Sequence, residues 1–381
     1  MKIVIAPQSF KGALTGQMAA KAIAQGVSSV YPKATTLLIP IADGGDGTLD
    51  VLHDNGIIDL FSSKVTGPMN QAVTAKWGVM SDGTTAIIEL AQASGLALVT
   101  PQKRDPRTAS SVGTGELLRI VLNHGYRNVI LFLGGSATND AGAGLAQALG
   151  VRLLDKNGKE LRPGGIHLIQ LETIDITKLD HRLKETNIVV ATDVTNPLLG
   201  PNGASAVYGP QKGASPNVAR KLDAALTQFA RIVKKDLGRE IADCPGAGAA
   251  GGVGGALLAL TDSTVQSGID LICDMLHLDE HFQNTNLVIT GEGRIDRSTI
   301  FNKAPVGLAR RAKTFGIPVI ALAGSLGYGY REVYSQGIDA VVCILDRPLS
   351  FIESVDQTYQ LLSTATERAL RLLHTNALSP H

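Results

Sequence analysis

Cysteine is nearly absent. The three in 381 residues, Cys244, Cys273 and Cys343, lie far apart with no Cys-x-x-Cys spacing, which excludes a disulfide framework and a cysteine zinc site and suits reduced cytoplasmic thiols. Aromatic residues amount to 4%, and charged residues to 18%, where an average chain has about a quarter charged. Neither sign of charge dominates, with 35 Lys and Arg against 34 Asp and Glu. A near-neutral chain exerts no long-range pull on nucleic acid or anionic lipid, so neither is expected as a partner. Long apolar runs are missing as well. The opening MKIVIAPQSFKG holds an apolar run of about five residues, short of the roughly 7–15 of a signal peptide. The longest uncharged stretches, 194–211 and 244–261, are broken by glycine and proline and fall below the ~20 residues of a membrane span. A soluble cytoplasmic protein is expected, and at roughly 150 residues per domain it has room for two or three domains.

Glycine is in excess, at 42 of 381 residues against a usual share of roughly 7%. No Gly-X-Y period exists, and the glycines cluster after apolar runs, which excludes collagen and disorder.

Short β-branched runs alternate with helical patterns along most of the chain. Residues 2–6, 35–41, 128–133, 187–191, 287–290, 318–323 and 340–345 are continuous apolar runs, the pattern of strands buried on both faces of a parallel sheet. Helices are expected at 16–30 and at 303–315, the latter with Pro305 in its first turn and Gly316 just beyond its end. Between Val65 and Leu90 the pattern changes, because two strand-like runs are separated only by the turn MSDG. That is a hairpin, so a mixed sheet begins at about residue 63. Parallel alternation resumes near residue 287. The economical α/β arrangement is a doubly wound, mostly parallel, Rossmann-like domain made from both chain ends (1–62 plus 284–381), with a second α/β domain inserted at 63–283.

The glycine clusters share one address, the carboxyl end of a predicted strand, where open α/β sheets bind ligands. KIVIA leads to Gln8, Ser9 and Lys11; LLIPIA leads to DGGDGT with Asp43 and Asp46. NVILFL leads to GGSATNDAGAG, in which Gly134 and Gly135 expose backbone amides and a helix start carrying Ser136, Thr138 and Asn139 adds donors. NIVVA leads to Asp193 and Asn196, and LVIT to Gly291, Glu292, Arg294 and Asp296, with Lys303 following. One such turn is ordinary turn chemistry. Five together offer amides, hydroxyls, carboxylates, two lysines and an arginine, the inventory of phosphoryl transfer: cationic clamps, Mg²⁺ ligands and a proton acceptor.

Other motifs fall away. No G-x-x-x-x-G-K-[ST] string and no G-x-S-x-G elbow occur. Gly246, Gly248 and Gly251 satisfy G-x-G-x-x-G, but the preceding REIADCP is polar and ends in proline, where a dinucleotide fingerprint needs a buried strand. That segment reads as a glycine-rich helix start that cradles an anion or permits close packing. His277 and His281 match H-x-x-E-H, yet no third metal ligand is identifiable, and a polar surface helix explains the run.

Read together, the turns resemble the class I glycerate kinase (glycerate 2-kinase) family. The resemblance rests on IAPQSFKG, ADGGDGT, KRDPRTASSVGTGELL, GGSATNDAGAGLAQALG, ATDVTNPLLGPNGAS, YGPQKGAS, PGAGAAGGVGGALLA and GEGRIDRSTIFNKAPVGLA, and it spans nearly the whole chain. It implies ATP- and Mg²⁺-dependent phosphorylation of D-glycerate to 2-phosphoglycerate, in a cleft between two α/β domains. Three positions depart from the family: Gln8 stands where Asp is usual, Ser298 where Gln is usual, and Asn302 where Gly is usual. Gln8 brings no charge to a metal or a proton transfer, whereas Asn is the least costly replacement for Gly at positive φ.

The site expectations follow. Asp193 is a proton acceptor or metal ligand, Lys11 a phosphate clamp, and Arg294 a bidentate grip on a carboxylate. Ser9, Gly134, Gly135, Ser136, Thr138, Asn139, Asn196, Gly291, Glu292 and Lys303 bind substrate or phosphate, and Asp43 and Asp46 hold Mg²⁺ or position substrate. The rival readings are a kinase for another small hydroxy acid, a non-catalytic binding protein of the same fold, and a nicotinamide dehydrogenase. A homo-oligomer is compatible with all of them.

Overall fold

The computed structural model describes residues 1–300 and 303–374. They form two compact units, one comprising Met1–Asp43, Asp50–Asn55 and the chain from Ile269 on, the other Gly44–Leu49 and Gly56–Gly268.

The first unit is built on a five-stranded sheet in the order Ala340–Cys343, Val319–Leu326, Leu287–Ile295, Lys2–Pro7, Thr35–Leu38, parallel throughout. Its three central strands are the apolar runs whose residues lack a polar face, and Ile3, Ile5, Ile289 and Leu322 are buried. The two outer strands are only half-buried. Their continuous apolar runs had suggested burial on both faces, but an edge strand has a neighbour on one side alone. Helix Gly16–Val30 is capped by Thr15, whose hydroxyl accepts from Met18 N at 3.2 Å. Its apolar side, with Ile23 and Val27, packs with Leu361 and Leu362 of helix Thr358–His374. From the adjacent strands Lys2–Pro7 and Leu287–Ile295 the chain winds outward in opposite directions. That is a topological switch point, which opens a crevice at the carboxyl ends of these two strands.

The second unit carries a six-stranded sheet in the order Thr264–Gln266, Asn187–Ala191, Asn128–Phe132, Thr85–Glu89, Ala72–Met80, Ile58–Thr66. The first four run parallel and the last two pair antiparallel. The expected hairpin is present, with Gly78 opposite Ile87. A further antiparallel strand precedes it from Ile58, earlier than the expected start of the mixed sheet near residue 63. IDLFSSKVT is mostly polar and largely solvent-facing, so it lacks the apolar run by which the other strands announced themselves. Helix Pro216–Leu237 has its N-cap at Ser215, proline in its first turn and left-handed Gly238 after its last residue. Leu222, Leu226, Phe229 and Val233 form its buried stripe.

Among the described residues, no helix is long and apolar enough to cross a membrane.

Candidate active site

In the first unit the expected residues gather at the switch point. Pro7 lies level with Gly291, and Gln8 N donates to Gly291 O at 2.8 Å. Phe10 and Leu14 then exchange backbone hydrogen bonds of 3.0 Å in both directions. This tight turn exposes Lys11 and leaves Gln8 buried and Ser9 half-buried. The neighbouring strand passes Gly293 beside this turn, at ordinary contact range of Phe10 and Lys11.

Glu292 is 7% exposed. One of its oxygens accepts from Thr299 Oγ1 at 2.8 Å, and the other is 3.9 Å from Lys303 Nζ. Burial pushes its carboxyl up to about 7, Lys303 and Thr299 oppose the rise, and the charges of Asp43 and Asp296 add to it. A buried carboxylate does not itself grip phosphate; it anchors Lys303 and can accept a proton. Arg294 Nε lies 3.1 Å from Asp296, which also accepts from the backbone (2.8 Å) and hydroxyl (2.6 Å) of Ser298. Ser298 thus closes a local turn on Asp296. Lys303 occupies the N-cap of helix Ala304–Thr314. Asn302 lies outside the described residues.

In the second unit the loops after adjacent parallel strands form the other half of the expected set. The GGDG turn and the GGSATND loop meet backbone to backbone. Gly134 N donates to Gly44 O at 3.0 Å, and a β-carbon on Gly134 would stand 2.5 Å from Gly45 Cα. Asp46 reaches over Gly135, whose φ is +75°. Glu89, at the end of its strand and fully buried, ties this turn down. It accepts from Gly47 N (3.1 Å), Leu49 N (3.0 Å) and Gln92 Nε2 (3.2 Å), while burial pushes its carboxyl up to about 7.

The loop itself differs from the expected helix start. The helix spans only Ala143–Ala148, because Ala141 and Gly142 both have positive φ, +51° and +71°, and hold the chain in a non-helical turn first. Thr138 and Asn139 are fully buried. Their side chains donate to Ala250 O (3.1 Å) and Ser205 Oγ (2.9 Å), so they hold the loop in place and leave its rim to Ser136 and the exposed Gly135; the Gly134 amide, expected to be exposed, instead donates to Gly44 O. Asp140, also fully buried, accepts from Ser111 N, Ser111 Oγ, Gly142 N and Gly144 N. From below, Lys212 donates to Ser136 Oγ at 2.9 Å and to Thr138 O at 2.7 Å. The G-x-G-x-x-G segment packs against this loop, and a β-carbon at Gly251 would lie 2.0 Å from Thr138 O. Close packing, the second of its two sequence readings, is what its glycines provide.

Past the next strand, Asp193 Oδ1 accepts from Ser267 Oγ at 2.8 Å. Asn196 is engaged by Asn202 O (2.8 Å) and the Tyr208 hydroxyl (2.7 Å). Sequence reasoning missed Glu89, Asp140 and Lys212. The first was legible as a lone charge closing the apolar run TAIIE, and the other two stood inside quoted motifs without an assigned contact.

Among the described residues, no group of three or more His, Cys, Asp or Glu is arranged to hold a metal. Mg²⁺ commonly takes one or two carboxylates, with water and substrate phosphates completing the shell. Asp46 beside the glycine turn is a hard-oxygen donor of the type that fits such a shared site.

The sequence matches the model of the glycerate kinase family over residues 3–374. It is 49% identical over 345 residues to the glycerate 2-kinase of Escherichia coli strain K12, covering 91% of each chain. With the glycerate kinase of Haemophilus influenzae it shares 47% over 373 residues, 98% of this chain and 99% of that one. The fold is similar to the crystal structure of a protein described as glycerate kinase 2 from Salmonella typhimurium LT2, at a TM-score of 0.82 and 44% identity, covering 98% of both chains.

Two outcomes follow from the loop packing. Gly251→Ala places a methyl against a carbonyl at a left-handed position and is expected to destabilise the protein by about 2–4 kcal/mol or prevent folding, read by urea denaturation. Glu89 gives a pH signature. Its folded pKa, about 7, exceeds the ordinary value of about 4.3, so the folded state binds the extra proton and stability falls as pH rises through that window. Glu89→Gln is expected to flatten that decline, whose Glu89 share between pH 5 and 7.5 is at most about 3 kcal/mol; parallel denaturation curves at those two pH values would read it, and an unchanged slope would exclude Glu89 as its source.

Proposed function

The chain belongs to the glycerate kinase family, and from that premise we propose that it transfers the γ-phosphoryl group of ATP to D-glycerate, with Mg²⁺, to give 2-phosphoglycerate. The observation that carries this reading is the GGSATND loop, whose rim offers the exposed Gly135 and the Ser136 hydroxyl with the Lys212 amino group behind them. Such a surface suits an anionic oxygen.

Transfer is a single in-line displacement. The glycerate hydroxyl oxygen forms the new bond to phosphorus, the bond from phosphorus to the bridging oxygen of ADP breaks, and the hydroxyl proton passes to a carboxylate. Asp193 is the proposed acceptor, standing at a strand end with its orientation fixed by the Ser267 hydroxyl at 2.8 Å. Lys11, exposed on its turn, clamps phosphate oxygens. Arg294 grips the glycerate carboxylate through its planar fork, and Lys303, anchored by Glu292, adds a second cation. Asp43 and Asp46 are the proposed Mg²⁺ carboxylates; when bound, the metal neutralises charge on the β- and γ-phosphate oxygens. No covalent enzyme intermediate is required, because these groups are clamps and acceptors. Gln8 supplies hydrogen bonds without charge, and Ser298 is engaged with Asp296. These two positions favour testing other small hydroxy acids as acceptors.

Phosphorus NMR of the product formed from ATP and D-glycerate tests activity and regiochemistry together. 2-Phosphoglycerate is expected, whereas turnover with lactate, tartronate or erythronate but not glycerate would overturn the substrate. Asp193→Asn is expected to lower kcat at least about tenfold, and near-native turnover in that variant would remove Asp193 from the mechanism.

A further inference from the structure

Lys212 has no obvious place in the chemistry just described. It sits in the segment that follows helix Ala204–Tyr208, with 2% of its surface exposed. Its ammonium cannot reach a ligand directly, yet it meets the underside of the loop at two points, Ser136 Oγ (2.9 Å) and Thr138 O (2.7 Å). Among the described residues it makes no ion pair, and the nearby Asp140 carboxylate already accepts four hydrogen bonds from Ser111, Gly142 and Gly144. A buried lysine normally requires a partner of opposite charge.

The hydrogen bond to Ser136 has a direction. In its protonated form, the one a bound anion favours, the lysine only donates, so Ser136 Oγ then accepts and its own hydrogen cannot point back at Lys212. That hydrogen is then left for another acceptor, and Ser136 keeps 8% of its surface exposed. The same segment fixes the loop again through Ser205, whose Oγ accepts from Asn139 Nδ2 at 2.9 Å.

We propose that Lys212 is a positioning residue that orients the Ser136 hydroxyl as a donor to an anionic oxygen of a substrate, its buried charge being balanced by that anion when it binds. The proposal rests on the kinase reading above and deepens it by naming what prepares the anion-binding rim. Desolvation lowers the lysine to about 7 and Asp140 raises it, so an arriving anion favours uptake of a proton at neutral pH.

The test is binding of D-glycerate and of ATP, each measured alone by calorimetry at pH 7.5 in two buffers of different ionisation enthalpy. Wild-type protein, Lys212→Met, Ser136→Ala and the double variant are compared, with urea denaturation confirming that each is folded. Loss of a charge-assisted donor is expected to weaken one of the two ligands by about tenfold or more in each single variant. The double variant should be little weaker than Ser136→Ala, and the proton uptake seen with the wild type should vanish in Lys212→Met. Equal losses from Lys212→Met in both backgrounds, or unchanged affinity in a folded Lys212→Met, would overturn the proposal. Should Lys212→Met not fold, wild-type binding without proton uptake together with full affinity in Ser136→Ala would overturn it independently. Wild-type protein that binds neither ligand would instead overturn the kinase reading on which it rests.

Discussion

Backbone lies against backbone around residues 134–144 at separations that no side chain tolerates, and the candidate site of the second unit depends on it. Gly134 meets the GGDG turn, and Gly251 meets Thr138 from the other side. The loop therefore has little freedom to be anything but what these contacts make it. Side chains finish the work: Glu89 fastens the turn, Asp140 gathers four donors, and Ser205 and Lys212 brace the loop from one segment. Each is buried and polar, and each has at least one hydrogen-bond partner far away in sequence.

Charge is consequently a local matter here. The chain as a whole is at +1 and projects no strong field. Burial still moves Glu89, Glu292 and Lys212 toward neutrality near pH 7, because removing a charged group from water disfavours its ionised form. A small number of enclosed groups thus does what an excess of surface charge would do less selectively.

Much of the frame was legible in the sequence because its signals are local. Continuous apolar runs marked the central strands of both sheets, and the MSDG turn marked the hairpin. The edge strands Thr35–Leu38 and Ala340–Cys343 carry the same runs but not the same burial, since composition does not reveal a missing neighbour. Ile58–Thr66 was hidden by its polar face. The helix expected at Ser136 starts instead at Ala143, an outcome dictated by the positive φ of Ala141 and Gly142 rather than by propensity. The contacts of Glu89 and Lys212 were hidden for a further reason: these partners lie about 40 and 75 residues away, a distance over which periodicity carries no information. Thr138 and Asn139 were recognisable as polar groups of a phosphate-type loop, but only packing tells that they face inward.

The pairing of Lys2–Pro7 with Leu287–Ile295 also sets a timetable. Ala6 O accepts from the hydroxyl of Thr290, 284 residues later. At about 5–20 residues per second, the N-terminal strand waits roughly 15–60 seconds of synthesis for its neighbour. All strands of the inserted unit emerge during that interval, so Lys2–Pro7 can meet Thr35–Leu38 on one side early while its other edge stays open until the inserted unit has been made.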